Sequence, residues 1–173
     1  MNDMSLLRDY LKSQILKLKG TKVQEVKQKS EILVQHFLSI SKSELYLKDI
    51  PLSKKDIKNL NYLFSELYQN KPIQHIIGET YFYDSKFLTP HGVFIPRPET
   101  ELLVDCAIEF LSNKKERLQI IDFCTGSGCI LLSIAKQFPN HEYIGIDQSE
   151  IAIETAKKNR DLLGLKNCTF FNE

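Results

Sequence analysis

The chain has 173 residues, of which 42% are apolar, 26% charged and 10% aromatic. This composition is typical of a globular protein with one or two domains and excludes a disordered or collagen-like chain. The net charge of +1 gives no general signal for a polyanionic partner. No apolar run reaches the roughly 18 residues that a membrane span needs, and residues 1–8 lack the layout of a secretory signal. We therefore predict a cytoplasmic protein without a membrane-spanning segment.

Charged residues are unevenly distributed along the chain. Residues 1–72 carry 13 basic and 8 acidic side chains, whereas residues 73–173 carry 10 basic and 14 acidic ones. This asymmetry indicates that the two parts face different partners.

The cysteines and histidines give no signal for a metal site. The four cysteines have no C-x-x-C spacing and stand within apolar patterns, so we interpret them as reduced thiols in or near the core, typical of a cytosolic protein. His75 and His91 lie in turn-like or extended sequence and lack the glutamate or cysteine pattern of a metal site, which favours structural roles. The cysteines are Cys106, Cys124, Cys129 and Cys168.

The first seventy residues have the apolar periodicity of helices. One run begins at Leu7, and a second extends from Glu31 to Ile40. A capping box, Ser53 to Asp56, precedes the third and clearest run, which Pro72 ends. Each apolar stripe needs a partner, so the pattern predicts a helical bundle over residues 1–72. The stripes are Leu7, Leu11, Ile15 and Leu18; Leu33, Val34, Phe37 and Leu38; and Ile57, Leu60, Phe64 and Leu67.

From Ile73 the sequence becomes extended in character and rich in aromatic residues. A turn signal, Thr89-Pro90-His91-Gly92, is flanked by strand-like pieces that contain Phe82 and Phe87. We predict a hairpin linker over residues 73–95 that connects two domains.

Helix and strand patterns alternate after this segment. Pro98 suits the first turn of a helix, and Leu102, Leu103, Cys106, Ala107 and Phe110 are predicted to form its buried face. Strand, helix, strand, helix, strand in succession predicts a parallel α/β unit. The first strand of a doubly wound sheet pairs on both edges, so we expect residues 96–173 to form an incomplete Rossmann-like domain. The predicted strands are Leu118–Phe123, Tyr143–Asp147 and Cys168–Phe171, and the helices between them are Ile130–Phe138 and Glu150–Leu163.

The turn after the first of these strands carries the chemistry. Gly126 and Gly128 let a ligand approach the backbone closely, and Asp147 ends the next strand at the spacing of about twenty residues that ribose recognition expects. A dinucleotide site would need a third glycine, where this sequence has Leu131. Asp122 would repel a pyrophosphate but suits a cofactor with an ammonium and a sulfonium group. The pattern therefore favours S-adenosylmethionine over NAD, with a ligand-free packing turn as the alternative.

The segment Ile95–Glu101, with the sequence I-P-R-P-E-T-E, resembles the peptide-chain release factor glutamine methyltransferases. Pro72–Gly78 before it, with Phe82 and Phe87, and the turn Asp122–Gly128 after it belong to the same resemblance, which extends from about Ser30 to Glu173. It implies a class I fold with an N-terminal helical domain, a hairpin linker and a Rossmann-like catalytic domain. It also implies methyl transfer from S-adenosylmethionine to the glutamine side-chain amide in the Gly-Gly-Gln motif of class I release factors.

The same resemblance implies the roles of individual residues. Asp147 would hold the ribose of the cofactor, and Asp122 belongs to the same cofactor-binding set. Arg97, Glu99 and Glu101 would line the cofactor pocket near the linker, although acids in a first turn also favour a solvated helix start. The methionine part would be held by Cys124, Thr125, Gly126, Ser127 and Gly128.

Two departures from the family pattern matter. Cys124 stands where the family usually has glycine, so the backbone there is less free to adopt a positive φ. The Asn-Pro-Pro-Tyr segment that grips the substrate glutamine does not occur in this sequence, so no catalytic residue is assigned and we expect the 173-residue chain to be inactive alone. Two other functions remain open: a nucleic-acid methyltransferase with a basic helical domain, and a docking module without enzymatic activity.

Overall fold

The structure is a computed structural model that describes residues 5–173. The chain divides into two compact units, one ending at Ile77 and the other extending from Gly78 to Glu173. Within the described residues, no helix is both long and apolar enough to cross a bilayer.

The first unit is a helical bundle with a short antiparallel ladder, in which Ser5 pairs with Leu52 and Leu6 with Pro51. Its apolar core is formed by the stripes that the sequence predicts, including Leu18 of the first helix and Phe64 of the fourth. In chain order its elements are β1 (Ser5–Leu6), α1 (Leu7–Leu18), α2 (Val26–Leu38), α3 (Lys42–Leu47), β2 (Pro51–Leu52), α4 (Lys54–Tyr68) and α5 (Ile73–Ile77).

The capping box at the start of α4 is confirmed. The Ser53 Oγ accepts a hydrogen bond from the Asp56 amide at 3.1 Å, and Asp56 Oδ2 accepts one from the Ser53 amide at 3.0 Å. A second capping box, between Ser41 and Glu44, begins α3, a helix absent from the sequence prediction. The S-x-x-E signal for it was present in the sequence, but six helical residues are too few for periodicity to reveal.

The extended conformation predicted for Ile73–Ile77 is wrong, because these residues form α5. Pro72 precedes the helix, and its carbonyl accepts hydrogen bonds from the amides of His75 and Ile76. Ile73 is buried in the core of the bundle. Ile76 and Ile77 pack against the same core, so tertiary packing outweighs the β-branched, extended character of the segment.

The second unit begins with an antiparallel hairpin, β3 (Glu79–Phe82) and β4 (Ser85–Leu88). The turn predicted at Thr89–Gly92 is present, and the Val93 amide donates a hydrogen bond to the Pro90 carbonyl there at 3.2 Å, but this turn does not join the hairpin strands. The hairpin turn lies at Tyr83 and Asp84, directly between the strands. Tyr83 adopts a left-handed φ of 54°, and its amide donates a hydrogen bond to Glu101 Oε1 at 2.8 Å. Asp84 and Ser85 give only a weak turn signal without glycine or proline, and the Glu101 carboxylate that bonds to the turn comes from 18 residues away.

A three-stranded parallel sheet follows, as predicted, and its strands lie in the order β5-β6-β7. The apolar core of this unit contains Tyr143 and Phe170 from the sheet and Phe82 and Phe87 from the hairpin. After a 3-10 turn at Pro98–Thr100, the elements are α6 (Glu101–Ser112), β5 (Gln119–Phe123), α7 (Cys129–Gln137), β6 (Glu142–Asp147), α8 (Glu150–Leu162) and β7 (Cys168–Asn172).

The buried face predicted for α6 is wrong except at Ala107. Val104 and Leu111 are buried, with Ala107 and Ile108 packed against the same core. Apolar residues occupy most of the circumference of this helix, so periodicity alone does not select the face that packs. The predicted residues that are exposed instead are Leu102, Leu103, Cys106 and Phe110.

The cysteine prediction also needs correction for two positions. All four cysteines are free thiols, and Cys129 and Cys168 are buried as expected. Cys106 and Cys124 are exposed, the first on the outer face of α6 and the second in the loop after β5. Flanking apolar residues gave the misleading signal, because those residues are themselves exposed in α6 and at the end of β5.

Candidate cofactor site

The candidate site lies at the carboxyl ends of β5 and β6, where ligands bind in open parallel sheets. Three residues of the loop after β5 have left-handed backbone angles: Cys124 with φ 60°, Gly126 with φ 58° and Gly128 with φ 77°. Glycine adopts this conformation without strain, whereas Cys124 adopts it at a cost of about 1–2 kcal/mol. The departure at Cys124 therefore falls on a position whose backbone favours glycine.

The two glycines serve different purposes. A Cβ on Gly128 would lie 3.1 Å from the Leu132 side chain, 3.2 Å from the Ala156 Cβ and 3.3 Å from the Phe170 ring. Glycine at this position lets α7 begin close against the sheet. A Cβ on Gly126 would meet no atom within 4 Å, so this residue presents bare backbone to open space.

Asp147, the last residue of β6, is joined to the same loop. Its Oδ2 accepts a hydrogen bond from the Gly126 amide at 2.9 Å, and its Oδ1 accepts one from the Ser149 amide at 2.9 Å. The Thr125 amide donates to the Ile146 carbonyl at 3.0 Å, which holds the two strand ends together. The glycine loop and the Asp147 carboxylate are therefore held together by a direct hydrogen bond.

Asp122 lies behind this loop. The Thr125 hydroxyl donates a hydrogen bond to Asp122 Oδ2 at 2.7 Å. Burial raises the pKa of Asp122 above its usual value, the Thr125 hydrogen bond lowers it, and the charge of Asp147 raises it, with a net upward shift. A carboxylate in this environment is stabilised by any positive charge that binds nearby.

A cavity of about 500 Å³ opens beside these residues. Cys124, Thr125, Gly126, Ser127 and Asp147 line it, so the structure brings five of the predicted residues together. Its volume is in the range typical of sites for ligands the size of a nucleoside cofactor. Further lining residues that the sequence analysis did not identify are Val93, Phe94, Pro96, Ile130, Gln148, Ser149 and Ala152.

A usable signal existed for some of these additional residues. Ile130 follows Gly128 by two positions, and Gln148 and Ser149 directly follow Asp147. Their closeness in sequence to the glycine loop and to Asp147 was therefore enough to predict them as lining residues. Phe94 and its neighbours come from the segment after the hairpin, and only folding brings that segment to the loop.

The other predicted site residues do not line the cavity. Gly128 lies beneath the loop, and Asp122 contacts it through Thr125. The Arg97 guanidinium lies 5.6 Å from the centre of the Phe94 ring, so it contacts a cavity residue. The Glu101 carboxylate bonds to the hairpin turn, and Glu99 is exposed at the 3-10 turn.

Comparisons with known proteins agree with this description. Family models match two stretches of the chain: a PrmC N-terminal domain over residues 9–78 and a methyltransferase domain over residues 114–172. The chain is 40% identical over 141 residues to a release factor glutamine methyltransferase of Thermodesulfovibrio yellowstonii. The alignment covers 80% of this chain and 50% of the relative. It is also 33% identical over 170 residues to a release factor glutamine methyltransferase of Chlorobaculum tepidum. That alignment covers 95% of this chain and 58% of the relative.

Solved structures include similar domains at lower identity. A SAM-dependent methyltransferase from Agrobacterium tumefaciens is 21% identical, with a TM-score of 0.48, and covers 55% of this chain and 31% of that chain. The tRNA (uracil-54, C5)-methyltransferase of Pyrococcus abyssi is 22% identical, with a TM-score of 0.44, and covers 54% of this chain and 22% of that chain.

The parallel sheet, the glycine loop after its first strand and the carboxylate at the end of its second strand define the second unit as a class I methyltransferase domain. Together with the helical unit, this domain identifies the family more closely. The chain belongs to the release factor glutamine methyltransferase family. It spans 50% to 58% of the length of the two relatives described above.

Proposed function

We propose that the second unit binds S-adenosylmethionine in the cavity beside Asp147. We further propose that the protein transfers the methyl group to the glutamine amide in the Gly-Gly-Gln motif of class I release factors. The observation that carries the proposal is the hydrogen bond between the Gly126 amide and the Asp147 carboxylate. It joins bare glycine backbone to a carboxylate of the kind that binds ribose, and both line one cavity.

Asp147 would hold the ribose of the cofactor. A carboxylate has about four lone-pair sites, and the amides of Gly126 and Ser149 account for two of the hydrogen bonds that it accepts. The remaining sites can accept hydrogen bonds from two ribose hydroxyls. The same amide bonds fix the direction of the carboxylate before the ligand arrives, which reduces the entropy lost on binding.

The glycine loop would hold the methionine part. Gly126 has open space where a side chain would otherwise stand, so a ligand can contact the backbone directly. Asp122 behind Thr125 favours a ligand that carries positive charge. When bound, S-adenosylmethionine supplies a methyl group on a positively charged sulfur.

The proposed target rests on the named relatives and on the sequence resemblance. An amide nitrogen is a poor nucleophile, so most of the catalysis consists of positioning it and accepting hydrogen bonds from its NH₂ group. The family resemblance assigns that task to an Asn-Pro-Pro-Tyr segment, which these 173 residues do not contain. We therefore propose that the chain binds the cofactor without completing methyl transfer alone, and that release factors are the partner of the whole protein.

Calorimetric titration of the 173-residue chain with S-adenosylmethionine and with S-adenosylhomocysteine tests cofactor binding. We expect saturable heat from both, since they share the adenosine and the amino-acid group. No heat from either would leave only the docking function. RNA binding that weakens steeply between low and moderate salt would instead favour a nucleic-acid methyltransferase.

Mass spectrometry of a class I release factor, incubated with the chain and S-adenosylmethionine, tests turnover. We expect no gain of a methyl group with this chain. A release factor methylated at its Gly-Gly-Gln glutamine would support the proposed target and contradict the proposed inactivity of the 173 residues. Methylation at another residue type would contradict the target.

A further inference from the structure

Asn159 of α8 is a fully buried polar residue outside the predicted site. Its Nδ2 donates hydrogen bonds to the Ser127 carbonyl at 2.9 Å and to the Leu88 carbonyl at 3.2 Å. Its Oδ1 accepts a hydrogen bond from the Leu88 amide at 2.7 Å. One side-chain amide therefore bonds to two backbone segments that lie 39 positions apart in the sequence.

These two segments lead to two walls of the cavity. Ser127 is part of the glycine loop. Leu88 ends β4, and the chain continues from it through the Thr89–Gly92 turn to Val93 and Phe94, which also line the cavity. Asn159 is thus bonded to one lining segment at Ser127 and to the strand end that leads to the other, but it does not line the cavity itself.

An apolar side chain could fill the same space but could not make these bonds. The Leu88 amide, the Leu88 carbonyl and the Ser127 carbonyl would then lose partners inside the protein, and buried backbone groups without partners are strongly disfavoured. The surrounding α8 residues Thr155 and Ala156 are small and buried, so the helix runs close to the loop. An amide at this place fixes the separation of two segments as well as filling space.

We infer that Asn159 is a positioning residue for the cofactor site, acting through Ser127 on the glycine loop and through Leu88 on the segment that leads to Val93 and Phe94. This inference rests on the proposed cofactor site, since it assigns a role in the same cavity. Loss of the amide should let the two walls separate and weaken cofactor binding beyond any loss of overall stability.

The first test compares Asn159→Ala with Val104→Ala in the 173-residue chain. Val104 is fully buried on α6 and does not line the cavity, so its variant lowers stability without removing the hydrogen bonds of Asn159. Urea denaturation measures stability, and calorimetry with S-adenosylhomocysteine measures affinity under conditions where both variants are folded. We expect affinity about tenfold weaker for Asn159→Ala and unchanged for Val104→Ala. Equal affinity in the two variants would overturn the inference.

The second test uses Asn159→Asp, which also serves if the alanine variant does not fold. An ionised carboxylate accepts from the Leu88 amide but cannot donate to the Ser127 carbonyl, whereas a protonated carboxyl group does both. The ratio of its dissociation constant to that of the wild type should therefore fall as the pH is lowered from about 8 to about 5.5. The ratio for Asn159→Ala should stay constant. A ratio that does not change with pH for Asn159→Asp would contradict the role of the donated hydrogen bond.

The third measurement separates this inference from the proposed function. If the wild type gives no heat with S-adenosylhomocysteine, the proposal of cofactor binding is contradicted. Hydrogen exchange of the chain alone still tests whether the hydrogen bonds of Asn159 hold Leu88 and the glycine loop in place. We expect the amides of Leu88 and Gly126 to exchange faster in Asn159→Ala than in Val104→Ala at matched stability. Equal exchange in both variants would leave Asn159 an ordinary core residue and overturn the inference.

Discussion

Asp147 Oδ2 accepts a hydrogen bond of 2.9 Å from the Gly126 amide, so the last residue of β6 holds the loop that follows β5. The two strands are parallel neighbours in the sheet, with Phe123 in register with Ile146, and their carboxyl ends meet at one edge. A nucleoside bound to the carboxylate would therefore contact the glycine backbone as well.

Replacing Asp147 by alanine should weaken binding of S-adenosylhomocysteine by about 1–3 kcal/mol, because the ribose hydroxyls lose their acceptor. The Gly126 and Ser149 amides also lose theirs, which adds to the effect. Calorimetry measures the change. Asp161→Ala, which removes an exposed carboxylate of α8, is the control and should leave the affinity unchanged. An unchanged affinity for the Asp147 variant would remove this residue from the site.

Gly126→Ala should lower cofactor affinity by about tenfold or more, because its Cβ would stand in the space that the ligand needs. Gly164→Ala is a matched control, since Gly164 has a φ of 69° and no atom within 4 Å of an added Cβ. Both variants should lose about 1 kcal/mol of stability from the positive φ. Urea denaturation and calorimetry together test this, and equal affinities would show that the ligand does not approach Gly126.

Cys124→Gly should stabilise the chain by about 0.5–1 kcal/mol. The left-handed backbone at Cys124 costs about 1–2 kcal/mol, and part of this gain is offset by the greater freedom of glycine in the unfolded chain. Cys106→Gly makes the same chemical change inside α6 and should destabilise, because glycine weakens a helix interior. Urea denaturation distinguishes them. Destabilisation of both variants to the same extent would contradict the strain at Cys124.

Asp122→Asn should make the chain more stable at neutral pH, with a smaller gain as the pH falls. Burial raises the pKa of Asp122, so the native state of the wild type is stabilised by protonation. That contribution is present below the usual pKa of a carboxyl group and is lost as the pH rises through the raised value. Asparagine keeps an acceptor for the Thr125 hydroxyl without the charge.

Urea denaturation over a series of pH values measures the stability difference between Asp122→Asn and the wild type. Glu109→Gln, at an exposed position on α6, controls for the general effect of removing one negative charge. A stability difference for Asp122→Asn that stays constant with pH, or grows as the pH falls, would contradict the raised pKa.

Several features were predictable because their signals are local. The capping box of Ser53 and Asp56 and the glycines at 126 and 128 act within a few residues of their own position. Asp147 was predictable for a topological reason, since parallel strands with short connections end at the same sheet edge. The sequence spacing between Gly128 and Asp147 therefore predicts that the carboxylate lies close to the glycine loop.

Other features depend on contacts that no local pattern records. The α6 helix packs through Val104 and not through Leu102, because tertiary contacts select one of two apolar faces. The hairpin turns at Tyr83 because the Glu101 carboxylate bonds to its amide. Asn159 meets Leu88 across 71 positions. By itself, the sequence determined which loop and which acid form the candidate site. Only the tertiary structure decided which buried groups hold them in place, because hydrogen bonds between distant segments form only when the chain is folded.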